Sequence, residues 1–179
     1  VNPGSQPSIK EAVRLGMGVD QEYKITFAFG EPSHLQIMVP DLGATANGVV
    51  VAGDMCTFDA DNEGAKFAAL LKEKYRGADK DKYNVMYLDG IVEAMTQVEA
   101  LRLASQQVAP QDLTSEDVLE KGFRQIKDFD TGGITSTNLT YGEGDAYGVD
   151  AVRLQQVQDG KIIEIGSIPI KESIVPAAK

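Results

Sequence analysis

The chain has 179 residues, and its 17 Lys and Arg against 27 Asp and Glu give a formal net charge of −10. A balance this acidic argues against nucleic acid or an anionic membrane as partner, because phosphate binding needs a basic face. The single cysteine, Cys56, excludes an internal disulfide and any multi-Cys metal site, and no apolar run approaches the ~18 residues of a membrane span.

The chain opens on what reads as the end of a strand, a polar turn and a short helix. Ser5 or Gln6 can open that helix, with Pro7 in its first turn, where a missing N–H costs nothing. Ile9, Ala12, Val13 and Leu15 form its apolar face, and Gly16-Met17-Gly18 stops it. A strand over Lys24–Phe29 follows and ends at Gly30-Glu31-Pro32. Strand, loop, helix, strand, loop is the repeating unit of an open α/β sheet, whose ligands sit beyond the strand carboxyl ends. Polar residues at both loops point to a small-molecule site, and the absent strand before Val1 suggests the back portion of a longer protein.

Farther along, Ser33–Met38 reads as a short helix and Val39–Gly43 as a turn. Gly48–Ala52 is apolar on both faces, the pattern of a buried strand. Asn62–Tyr75 is an amphipathic helix carrying Ala65, Phe67, Ala68, Leu70 and Leu71. Asn84–Ser105 is the longest helix, with an apolar face wide enough to predict that it is largely buried. Thr114-Ser115-Glu116-Asp117 caps a further helix to about Ile126. Val149–Gln158 and Lys161–Ile165 flank Asp159-Gly160, a strong hairpin signal. These elements predict an α/β protein with a mixed sheet.

Motif-like patterns that suggest chemistry fall short of it. Asp59–Gly64 imitates the start of a calcium loop, but its twelfth position, where a bidentate Glu should close the cage, is Leu70. Gly142–Gly148 misses the dinucleotide fingerprint and feeds a strand, so it reads as a turn. His34 is the only histidine, and no Gly-x-Ser-x-Gly elbow supplies a nucleophile. No catalytic residue, metal ligand or cofactor site is expected, and an enzyme is a distant third choice.

What remains is binding. Glu31 follows an apolar strand directly and can accept a charge-assisted hydrogen bond from a ligand ammonium, or stand as an exposed loop glutamate. Tyr83, just before the long helix, can wall an apolar side-chain pocket or staple the start of the helix onto the core. Asn2, Ser5 and Gln6 offer donors at the first loop, with capping the simpler role for Ser5.

In this order, several segments resemble type I periplasmic solute-binding proteins of ABC importers, the leucine/isoleucine/valine-binding group. Pro7–Gly16 is similar to that family's helix ending in Leu-Gly, and Phe27-Ala28-Phe29-Gly30-Glu31 to its next strand and ligand loop. Gly48-Val49-Val50-Val51 resembles a strand leading to a hinge crossing. Tyr83 with Leu88-Asp89-Gly90-Ile91 resembles its long helix, and Gln155–Lys161 its closing hairpin. In the long helix the family's usual aromatic is Leu88 here, and the tyrosine shifts to Tyr87.

The resemblance implies a two-lobe fold that closes on its ligand by a hinge, of which this chain is the C-terminal half. By position, residues 1–55 and 150–179 would belong to the second lobe and 56–149 to the first. The ligand would be a hydrophobic or branched-chain amino acid, or a related amide, with Glu31 on its ammonium and Tyr83 on its side chain. Expected partners are ABC permease membrane subunits and a missing N-terminal half or companion fragment, outside the cytoplasm at a membrane. The alternative is the ligand-sensing domain of a receptor or amide-responsive regulator, which borrows the same fold.

Overall fold

The computed structural model describes residues 5–30, 35–77, 85–145 and 147–170. Four strands form one mixed sheet in chain order: β1 (Ala28–Gly30), β2 (Val50–Gly53), β3 (Ala151–Gln158) and β4 (Lys161–Pro169). β1 and β2 run parallel, as a helical crossover between them requires, while β2–β3 and β3–β4 are antiparallel. Asp159 (φ 50°) and Gly160 (φ 74°) make the two-residue turn between β3 and β4, with the left-handed backbone that lets such a turn follow strand twist.

Helix α1 (Ser5–Arg14) and helix α2 (Leu35–Leu42) pack with this sheet. Ile9 of α1 and Met38 and Leu42 of α2 are buried with Ala46, Val49, Val51 and Val157, forming the sheet core. Where a turn is expected at Val39–Gly43, α2 runs on through Pro40 to Leu42 and passes into a 3-10 turn, Gly43–Ala46. Proline removes one backbone donor, and Met38 and Leu42, one helical turn apart, hold the helix to the core regardless. The strand expected over Lys24–Phe29 is shorter, Ala28–Gly30, because β2 supplies partners only there. β2 is not buried on both faces. Val51 and Gly53 are buried, while Val50 and Ala52 are half-buried.

Helix α3 (Glu63–Arg76) and helix α4 (Val85–Ser105) build a second assembly, the helical core. Met55, Cys56, Ala65, Ala68, Leu88, Ile91, Val92, Ile134, Leu139 and Val149 are its buried side chains. Asn62 is the N-cap of α3, its Oδ1 accepting from the Ala65 N–H at 2.7 Å, so the calcium-loop mimic is a helix cap. α4 is not largely buried as predicted: Met86, Val98 and Leu101 are exposed.

The helix expected from Thr114 to Ile126 is broken. One α turn (Ser115–Asp117) passes into a π segment (Val118–Gly122) and a 3-10 turn (Phe123–Gln125). The widened π turn coincides with close backbone packing, since a Cβ on Gly122 would sit 2.4 Å from the Ala100 carbonyl oxygen of α4. The chain passes between the two cores at Gly53–Met55 and again at Val149–Ala151.

Candidate ligand-binding site

Parallel strands send their carboxyl ends to the same edge of a sheet, and that edge is where open α/β folds hold ligands. β1 ends there at Gly30, the residue before Glu31, and β2 ends there at Gly53. From Gly53 the chain runs through Asp54 straight into Met55 and Cys56 of the helical core. The junction of the two cores therefore lies beyond the edge at which the two parallel strands end.

One side chain spans that junction from α2. Gln36, in the first turn of α2, places its Nε2 3.5 Å from Asp59 Oδ1, on the loop that leads to α3. The other end of its amide, Oε1, is buried and has no hydrogen-bond partner among the described residues. A buried amide oxygen without a donor is costly, and a ligand N–H placed there would satisfy it. The sequence did not single out Gln36, although a polar residue in the first turn of a helix that follows a strand end was the available signal.

A second set of contacts holds the junction together. Arg153 of β3 extends over the turn at 131–135, and its Nη2 donates to the carbonyls of Gly133 (3.0 Å) and Thr135 (2.7 Å). Its Nη1 meets Glu164 Oε2 of β4 at 2.8 Å. The same turn is tied to α3: the Gly64 N–H donates to the Gly132 carbonyl at 2.8 Å and Asn62 Nδ2 to the Gly133 carbonyl at 3.0 Å. Inside it, the buried hydroxyls of Thr131 and Thr135 lie 2.6 Å apart. Gln155 Nε2 donates to the Met55 carbonyl at 3.3 Å, and the Ser136 hydroxyl donates to the Ala151 carbonyl. Arg153 thus orders a turn on which α3 rests, and so fixes one core against the other.

The helical side of the junction is acidic. Burial pushes the Asp89 carboxyl above its ordinary range, and the negative charges of Asp54 and Glu93 push it the same way. Burial likewise raises the Tyr141 phenol, opposed by a hydrogen bond with Thr96 and aided by Asp54 and Asp145. The Cys56 thiol is raised mainly by burial, which keeps it protonated and inert. Carboxylates at such a rim favour a cationic group on a ligand.

Of the residues the sequence singles out, Ser5 is the first residue of α1, and Gln6, half-buried, sits in the same turn. Asn2, Glu31, Tyr83 and His34 lie outside the described residues. No group of three or more His, Cys, Asp or Glu among the described residues is placed to hold a metal ion.

No protein-family model matches the sequence, and no curated protein is similar enough to count as a match. Solved structures are similar in fold. A branched-chain amino acid ABC transporter protein of Thermus thermophilus, solved with bound valine, superposes with a TM-score of 0.78 at 18% identity, over 93% of this chain and 43% of that one. A leucine-binding protein of Thermotoga maritima gives 0.62 at 20% identity, over 93% and 43%. A fatty acid ABC transporter substrate-binding protein of Thermomonospora curvata gives 0.66 at 18% identity, over 96% and 43%. The chain thus spans less than half the length of the structures it matches, and at these identities the likeness is one of fold: it has the α/β fold of the type I periplasmic solute-binding proteins of ABC importers.

Proposed function

We propose that this chain is part of the extracytoplasmic solute-binding component of an ABC importer, holding a hydrophobic or branched-chain amino acid, or a related amide, between two lobes. The observation that carries the proposal is the junction itself. The carboxyl ends of two parallel strands open onto a second core, across an edge rimmed by acidic side chains. The similar structures, one with bound valine, one a leucine-binding protein and one a fatty-acid transporter substrate-binding protein, support an apolar ligand. In this reading residues 1–55 and 150–179 form one lobe and 56–149 the other, a division that the two separate cores support except at Met55 and Ile170, which pack in the helical core.

Glu31 accepts the ligand ammonium, Gln36 Oε1 accepts a ligand N–H, and Tyr83 walls the apolar side chain. Asn2, Ser5 and Gln6 supply further donors, Ser5 and Gln6 from the first turn of α1. Affinity comes from burial between the lobes plus a few charge-assisted hydrogen bonds, and no bond is made or broken. Permease subunits in the membrane receive the loaded protein, and the remainder of the binding protein is supplied by polypeptide outside this chain.

The test is native mass spectrometry of the purified protein, followed by calorimetry with leucine, valine and their amides. A small mass that leaves on denaturation, with binding free energy weakened by about 1–3 kcal/mol in Glu31→Gln, is the expected result. A species with nothing bound and no heat with any of the four compounds would overturn the ligand assignment.

A further inference from the structure

A cavity lies between the interrupted helix after Thr114 and the turn at Gly142–Asp145. Its volume is about 460 Å³, within the ~300–1,000 Å³ of small-molecule sites. Leu119, Phe123 and Arg124 form one wall, and Tyr141 with the turn forms the other. No residue of the sheet core lines it, so it is a feature of the helical core alone.

The walls are held by the fold itself. In the π segment the Phe123 N–H donates to the carbonyls of both Val118 and Leu119, a widened turn of a kind that recurs at functional sites. Gly122, against the Ala100 backbone, keeps that turn pressed on α4. In the other wall the Tyr141 N–H donates to the Ile126 carbonyl at 3.1 Å, and Lys127 Nζ donates to the Tyr141 carbonyl. Gly142 and Asp145 close their turn with paired backbone hydrogen bonds at 3.2 Å. The Tyr141 ring lies over Gly148, where a Cβ would stand 2.7 Å from the ring Cζ, and meets Phe123 edge to face, with centroids 6.3 Å apart. A ring held on these sides presents a rigid aromatic surface.

The side chains suit a zwitterion with an aromatic group. Leu119, which is exposed, and the Phe123 and Tyr141 rings make an apolar slot. Arg124 supplies positive charge to it. Its Nη1 meets Glu120 Oε1 at 2.6 Å, and a guanidinium has further N–H donors with which to hold a ligand carboxylate. Asp145 supplies negative charge from the other wall. Its Oδ1 accepts from the Tyr147 N–H at 3.3 Å, and a carboxylate accepts several such bonds, a ligand ammonium among them. Charges of both signs beside one aromatic slot complement the two ends of an amino acid better than a simple acid or amine.

We propose that this cavity is a second ligand site, for an aromatic amino acid or a zwitterion like it. The ring lies among Leu119, Phe123 and Tyr141, the carboxylate on Arg124 and the ammonium at Asp145. The site is independent of the ligand held at the junction, because every residue invoked belongs to one core.

The chain contains no tryptophan, so the fluorescence anisotropy of added L-tryptophan reports its binding to the purified protein directly. Saturable binding is expected, weakened at least tenfold by Arg124→Gln. Tryptamine, which lacks the carboxylate, should bind the parent at least tenfold more weakly and be indifferent to Arg124→Gln. Indole propionate, which lacks the ammonium, should be indifferent to Asp145→Asn, a change that weakens tryptophan. Circular dichroism checks the fold of each variant, and should Arg124→Gln not fold, the Asp145→Asn comparison carries the test. No saturable binding at millimolar tryptophan, or equal binding of the three compounds, would overturn the proposal. So would tryptophan binding weakened by Glu31→Gln and untouched by Arg124→Gln, which would assign it to the junction. The two sites fail separately: absence of leucine binding spares this cavity, and absence of tryptophan binding spares the junction.

Discussion

Arg153 on β3 reaches across the junction, and its Nη2 donates to the carbonyl oxygen of Thr135 at 2.7 Å while also holding Gly133 at 3.0 Å. Thr135 pairs in turn with Met55, the first residue of the helical core after β2. One guanidinium therefore joins the sheet to the turn that supports α3. Arginine suits the position, because a planar fork of donors can meet two carbonyls and a carboxylate together.

Replacing that side chain with Arg153→Met should destabilise the fold by about 2–3 kcal/mol, since two carbonyls lose a charged donor in a half-buried place. Urea denaturation monitored by circular dichroism measures it. A loss below about 0.5 kcal/mol, the level of ordinary surface substitutions, would mean that water replaces the guanidinium freely.

Two helical glycines should respond in opposite directions. A Cβ on Gly64 would stand 2.4 Å from Ile134 Cγ1 and 2.5 Å from the Thr131 carbonyl oxygen, so Gly64→Ala should cost about 1–3 kcal/mol despite better helix propensity. A Cβ on Gly90 meets no atom within 4 Å. Gly90→Ala should therefore stabilise by about 0.5–1 kcal/mol. Thermal melts of the pair check the contrast, and equal signs would contradict the packing at Gly64.

Asp89 has a raised pKa in the folded state, so the fold binds its proton more tightly than the unfolded chain does. Stability from this site is greatest below the ordinary carboxylate pKa and falls as pH rises through the raised folded value. Asp89→Asn should then raise the melting temperature near neutral pH, by a margin that shrinks on acidification. A margin that stays constant with pH would show that the carboxyl is not perturbed.

Asp117 has the opposite shift. Hydrogen bonds from Lys121, the Thr114 hydroxyl and the Thr114 N–H lower its pKa from 3.8 to about 2. Its stabilisation is present above the ordinary value and is lost as pH falls through the folded one. Thr114→Ala removes the capping box, should cost about 1 kcal/mol, and should bring the Asp117 pKa back up. Carboxyl titration by NMR reads the second effect, and an unmoved Asp117 would leave Lys121 and the Thr114 N–H as the causes.

Features set by neighbours in sequence were legible from the chain alone. Asp159-Gly160 made its turn, and Thr114 and Asp117 formed their reciprocal cap, because each depends on a few adjacent dihedrals and short side chains. The junction was less legible. Gln36 and Asp59 are 23 positions apart, and Arg153 and Gly133 are 20, so no local pattern pairs them.

The sequence by itself determined the helices α1, α3 and α4, the mixed α/β character and the closing hairpin, through apolar periodicity and turn chemistry. The tertiary structure alone decided where those elements stop and what they touch. β1 shortened to the three residues that β2 can pair. The helix after Thr114 widened into a π segment where Gly122 meets the Ala100 backbone. The apolar side of α4 with Val98 and Leu101 was left open, since periodicity records that a face is apolar but not whether a neighbour is there to bury it.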